Sequence, residues 1–197
     1  VGSEMCIRDR ARRTAAAKGF STWAVREGHL ERDVAARLVT PKVGRHLPTV
    51  LSPEQAGELM GNAVSADEAH FLRDSAILEL LYASGMRVAE LVRLDLSDID
   101  FHRGTLHVTG KGDKQRVVPF GHAADDALRQ WIEKGRGQLA EEGTKAVFVG
   151  SRGGRIDQRQ VRRIVDRAAK VSGAQGLTPH GVRHSAATHL LEGGADL

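Results

Sequence analysis

The sequence predicts a mainly α-helical protein with one small antiparallel β-sheet, an α+β fold. Helical apolar spacing covers most of the chain, alternation of apolar and polar residues is confined to 97–119, and turn residues stand where the period changes. The 197 residues, 41% hydrophobic and 27% charged, suffice to bury a core. The single cysteine, Cys6, excludes an internal disulfide framework and a Cys-rich zinc ribbon, and fits a reducing, cytoplasmic setting. No apolar run approaches the roughly 20 residues of a membrane span, so no membrane partner is expected.

In chain order, residues 1–10 (VGSEMCIRDR) carry neither a helical apolar stripe nor a signal-peptide pattern, and are expected to be foreign to the protein. A helix is predicted over 11–28, from Ala15, Phe20, Trp23, Ala24 and Val25, with Gly28 as its stop. One such helix cannot bury its own stripe, so 11–38 is expected to be the remnant of a domain whose other helices are missing. Residues 39–50, with two prolines, a glycine and the cations Lys42 and Arg45, read as a linker.

The main domain, 51–197, opens with Ser52, Pro53 and Gln55, a capping box with proline at the first helical position, and a helix to about Met60. From Asp67 a second helix carries Phe71, Leu72, Ile77, Leu78, Leu80 and Leu81, apolar on nearly every face, and so should be central; Gly85 ends it. Ile99 and Phe101, Leu106 and Val108, and Val117 beside Val118 predict the sheet, with turns at Gly104 and 110–113. Helices are expected over 123–139, 157–171 and 178–192, and a short strand over 147–149.

The formal charge is +4 and the pI about 9.6, which permits a polyanionic partner. Only eight residues are aromatic, too few for a platform on which single-stranded bases stack, so any nucleic acid should be held by its phosphates. Thr178 and Pro179 give the last helix a capped start, placing His180 and Arg183 in its first turns on one face, where backbone N–H groups and the helix dipole attract anions. His180 and His184 also have the spacing of two zinc ligands, which opens a zinc hydrolase reading, but Gly181 stands where the motif requires glutamate. Arg87 follows the buried helix directly; its alternatives are an ion pair with Glu90 and an aimed anion ligand. Lys111, between glycines at a hairpin tip, lacks the Ser or Thr of a P-loop, yet could donate a proton to a leaving oxygen. Arg159, Arg163, Arg167 and Lys170 line one helical face opposite the stripe of Val161, Ile164, Val165 and Ala168, and suit contacts with a DNA backbone or simply with solvent.

Three segments together resemble the catalytic domain of the tyrosine recombinases, the Xer type above all, with phage integrases as relatives. They are YASGMRVAEL at 82–91, VTGKGDKQRVVPF at 108–120 and LTPHGVRHSAATHLLEGGADL at 177–197. STWAVREGHL at 21–30, followed by the linker, resembles the last helix of that family's core-binding domain. The resemblance implies that Arg87 and Arg183 hold the scissile phosphate, that His180 assists proton transfer at the nucleophile, that Lys111 protonates the 5′ oxygen and that Glu90 braces Arg87. It implies a metal-free reaction needing no cofactor, and double-stranded DNA and other recombinase protomers, in a tetrameric synapse, as partners. The implied role is strand exchange such as chromosome dimer resolution; the alternatives are a mobile-element integrase and a non-catalytic DNA-binding regulator of the same fold. The family's nucleophilic tyrosine lies beyond the segment matching 197, and Tyr82, the sole tyrosine, reads as core, so the fragment itself is expected to be inactive.

Overall fold

Residues 10–18, RARRTAAAK, are strong helix formers, and helix α1 runs through them from Gly2 to Arg26. The computed structural model describes residues 2–41, 50–61, 63, 65, 67–110 and 112–192, in two units, Val1–Leu47 and Pro48–Leu197. In the first unit α1 begins nine residues before the expected position 11. Residues 1–10 lack an apolar stripe, but propensity and the Asp9–Arg13 pair one turn apart (2.8 Å) need none. After Gly28, whose φ is 77°, the chain folds back: Asp33 accepts hydrogen bonds from Ser21 (2.5 Å) and Thr22 (3.0 Å), and Ala35 is buried with Ala24. Phe20 and Trp23 remain 64% and 43% exposed, so this unit does not cover its own stripe.

The second unit is built around α3. Helix α2, Pro53–Gly61, starts with the reciprocal capping box: Ser52 N–H donates to Gln55 Oε1 (3.1 Å) and Gln55 N–H to Ser52 Oγ (3.2 Å). Helix α3, Glu68–Ser84, is capped by Asp67, which accepts from the His70 N–H, and ends at Gly85 in the left-handed conformation, φ 56°, where a side chain would be strained. Leu72, Ala76, Ile77, Leu78, Leu80 and Leu81 are buried as expected of a central helix, whereas Phe71 is 41% exposed. Two charged residues of α3 are buried as well. Arg73 donates to Asp74 Oδ1 and to the Val149 carbonyl, and Asp74 Oδ2 accepts from Ser65 and Arg167, so the pair is fully hydrogen-bonded.

Helix α4, Val88–Leu91, and a 3-10 turn, Leu96–Asp98, lead into the sheet β1 (Ile99–Asp100), β2 (Thr105–Thr109) and β3 (Gln115–Pro119), antiparallel in that order. The register pairs Leu106 with Val118 and Val108 with Arg116, and Leu106 and Val108 enter the core. Helix α5, His122–Gln130, passes through a π turn, Trp131–Gly135, into α6, Arg136–Leu139. The uninterrupted helix expected over 123–139 is thus broken for a tertiary reason. Trp131 is fully buried, donates to the Val147 carbonyl (3.0 Å) and lies against Gly135, where a Cβ would fall 2.8 Å from the indole. Gly135→Ala should therefore destabilise the protein by about 1–3 kcal/mol in chemical denaturation.

The strand expected over 147–149 is not formed. Asp95 bridges Ala146 and Val149 bridges Arg155, two isolated pairings with different partners. Helix α7, Gln158–Val171, is capped by Asp157 and buries Val161, Ile164, Val165, Ala168 and Ala169. Helix α8, Pro179–Glu192, packs on α3, and among the described residues no helix is long and apolar enough to cross a membrane.

Candidate anion site at the ends of α3 and α8

Helix α8 starts at Thr178, whose Oγ1 accepts the Gly181 N–H (3.2 Å), so His180 and Arg183 occupy its first turns. His180 is exposed and Arg183 half-buried. The Arg183 guanidinium donates to the carbonyl of Gly85, the residue that caps α3. Two residues on, Arg87 begins α4, its side chain 63% exposed. A cleft of about 550 Å³ joins these segments, lined by Arg87, His180, Arg183, Gln158 and Arg162 among others. Arg87, His180 and Arg183 thus meet at one surface, with a helix N-terminus among them, which suits an anion.

Glu90 organises the far side of Arg87. Its side chain is only 4% exposed and both oxygens are saturated. Oε1 accepts from Arg87 (3.0 Å) and Arg116 (2.9 Å), and Oε2 from the Arg87 backbone N–H (2.8 Å) and Arg116 (2.8 Å). Burial pushes the Glu90 carboxyl up, but the hydrogen bonds of Arg116 and Arg87 outweigh it and hold the pKa at about 2. Next to this cluster a recess of about 410 Å³ is lined by Arg87, Glu90, Arg93, Thr109 and Gly110. Lys111 lies outside the described residues, but its neighbour Gly110 ends the hairpin stem, its N–H bonded to the Lys114 carbonyl (2.8 Å).

The expected cationic face of α7 is divided. Arg159, Arg163, Arg167 and Lys170 are all exposed, but Arg167 donates to the buried Asp74 (2.9 Å) and Lys170 pairs with Asp166 (2.8 Å). Arg163 and Arg167 line a separate recess with His70 and Arg73, whereas the α7 cation in the Arg183 cleft is Arg162, which the sequence reading passed over. The i, i+4 spacing of Gln158 and Arg162 was its available signal. Arg116 was also missed, and nothing local points to it, because it meets Glu90 across 26 residues.

His184 is exposed and outside the cleft, and among the described residues no three His, Cys, Asp or Glu side chains gather as metal ligands would. Tyr82 is half-buried and tied to α8. The His189 Nε2–H donates to the Leu51 carbonyl (2.8 Å), which leaves Nδ1 to accept the Tyr82 hydroxyl (2.6 Å). Burial and the Glu79 carboxylate push the phenol above its ordinary pKa. Both effects favour the neutral phenol.

A helical domain with guanidinium groups from two segments and an imidazole around one cleft has the make-up to take an anionic ligand. The chain belongs to the phage integrase family, whose profile matches residues 49–197. It is 63% identical over 187 residues to the tyrosine recombinase XerC of Corynebacterium efficiens, covering 95% of this chain and 60% of that protein. The crystal structure of XerA recombinase matches with a TM-score of 0.67 at 33% identity, over 86% of this chain and 59% of the other. A lambda integrase tetramer bound to a Holliday junction shares the fold, with a TM-score of 0.70 at 21% identity over 93% of this chain and 54% of that one. The chain spans about 60% of the length of the curated relatives it matches.

Proposed function

We propose that this chain is part of a site-specific DNA recombinase of the Xer type, which cleaves and rejoins double-stranded DNA through a 3′-phosphotyrosyl link. The observation that carries this reading is the convergence of Arg87, His180 and Arg183 on one cleft, with the stem of the Lys111 hairpin beside Arg87. A phosphodiester in the cleft would have its two non-bridging oxygens held by Arg87 and Arg183, which stabilise the charge that grows as the nucleophile adds. His180 assists removal of the nucleophile's proton. The P–O5′ bond breaks as Lys111 delivers a proton to the departing oxygen, and a 5′ hydroxyl of the partner strand later reverses the step. The residues assigned to the chemistry are cations and an imidazole, so the scheme requires no cofactor.

The nucleophilic tyrosine is assigned to the full-length protein outside these 197 residues, since Tyr82 stands on α3 and does not line the cleft of Arg87, His180 and Arg183. The chain alone is then inactive. Arg159, Arg163, Arg167 and Lys170 are assigned to the flanking DNA backbone, where they position without reading sequence. The full-length protein acts in the cytoplasm with further recombinase protomers, in the manner of a synaptic tetramer, and the 63% identity with XerC favours chromosome dimer resolution over mobile-element integration.

Full-length protein incubated with a nicked duplex carrying its target site should trap a denaturant-resistant protein–DNA adduct without added metal. Binding of the duplex with no adduct would instead identify a regulator that kept the fold and lost the chemistry.

A further inference from the structure

Glu90 is a buried carboxylate with two guanidinium partners, one more than its charge requires. Arg87 alone already gives it a side-chain N–H (3.0 Å) and a backbone N–H (2.8 Å). The second cation, Arg116, does not line the cleft of Arg87, His180 and Arg183. It stands on β3 directly opposite Val108, which is buried in the core, so the strand that carries it is anchored. From there its two terminal nitrogens take both Glu90 oxygens, at 2.9 and 2.8 Å, the fork geometry that matches a carboxylate. Arg87 is left with one side-chain hydrogen bond to Glu90, and its side chain is largely exposed. Two guanidiniums against one carboxylate also leave this cluster a net positive charge, whereas Arg87 and Glu90 by themselves are neutral.

We propose that Arg116 is a positioning residue for Arg87: by occupying the Glu90 carboxylate it keeps that carboxylate from claiming the Arg87 guanidinium, and so leaves the N–H groups of Arg87 to an anion in the cleft. The inference rests on the recombinase reading above, which makes that anion a phosphodiester. Without Arg116 the forked site on Glu90 is open, and Arg87, whose exposed side chain is free to turn, is the cation beside it. A guanidinium held there by two N–H groups presents fewer donors, and no net charge, to a phosphate. Loss of Arg116 thus acts through the charge of Glu90, and removing that charge reverses it.

The full-length protein is assayed for single-turnover adduct formation at saturating nicked duplex, so that the chemical step rather than affinity is read. Arg116→Ala should be roughly 30-fold slower than the unsubstituted protein, the fold-change of one charge-assisted hydrogen bond. Adding Glu90→Gln to it should speed the reaction again by about tenfold, because an amide has no charge with which to hold Arg87. In the protein that keeps Arg116, the same Glu90→Gln should slow the reaction, since there the carboxylate only braces. An Arg116 that merely held the fold together would give the double variant two lesions and the lower rate. If Arg116→Ala melts below the assay temperature, Arg116→Gln, which keeps a donor to Glu90 but no charge, takes its place in the same comparison. A double variant no faster than the single one, or a full rate for the single one, overturns the inference and leaves the recombinase reading standing. Absence of adduct from the unsubstituted protein overturns the recombinase reading instead.

Discussion

Arg183→Ala in the full-length protein should lower adduct formation on a nicked duplex by roughly 1,000-fold while leaving the fold intact. The guanidinium has two tasks, and alanine ends both. One N–H donates to the Gly85 carbonyl, fastening the start of α8 to the cap of α3, and the side chain also lines the cleft. A donor aimed at charge that develops only in the transition state is worth about 3–4 kcal/mol, and on the proposed reading the phosphate would lose one of its two arginines. Arg183→Lys should recover little, because an ammonium cannot serve the carbonyl and a phosphate oxygen in one plane. Single-turnover rates at saturating DNA isolate this from weakened binding. A near-normal rate for Arg183→Ala would remove Arg183 from the phosphate.

Glu90→Ala should lower stability by about 1–3 kcal/mol, because it removes the anion shared by Arg116 and Arg87, two side chains that water still reaches. The Glu90 carboxyl is nearly shut off from water, whereas the Arg87 and Arg116 side chains are 63% and 39% exposed, so solvent screens the cluster from the cation side. The same group sets an acid limit. The folded pKa is about 2 against an ordinary 4.5, so unfolding takes up a proton in that interval. The stabilisation, on the order of 3 kcal/mol, is complete above pH 4.5 and disappears as the pH falls through about 2. Glu90→Gln should therefore be less stable at pH 6 and show a flatter decline between pH 4.5 and 2, as followed by urea titrations at each pH. A parallel decline in the two proteins would place the acid-sensitive group elsewhere.

The parts of the fold that the sequence reading foresaw are those decided within a turn of helix. Ser52 and Gln55 satisfy each other's backbone, and Gly85 ends α3 in a conformation other residues resist; each is a local signal with a local outcome. Distant partners decided what was missed. The π turn in the helix after the sheet exists because Trp131 must lie over Gly135 while it donates to Val147. The bridges at Ala146 and Val149 replace a strand because two unrelated segments each supply one partner. In the candidate site, HGVRH and SGMRVAEL are legible because each motif is contiguous, and the structure brings Arg87, His180 and Arg183 to one cleft. Arg116 was illegible for the opposite reason. Its partner is set by the register of Val108 with Arg116 and by how the sheet packs on α4, and neither has a sequence period.

The hydrogen bond from Arg183 to Gly85 ties the two arginine segments together. From the Arg87 side chain the path runs back through Met86 to the Gly85 carbonyl, across to the Arg183 guanidinium and into the cleft where both end. Two arginines joined in this way act as a chelator does. Their separation is set by a few covalent bonds and one hydrogen bond, so the entropy of bringing them together is lost when the chain folds, before any anion arrives. On the proposed reading an anion would meet both grips already assembled, which should favour a phosphodiester, with two free oxygens to share, over a singly coordinating ion of the same charge.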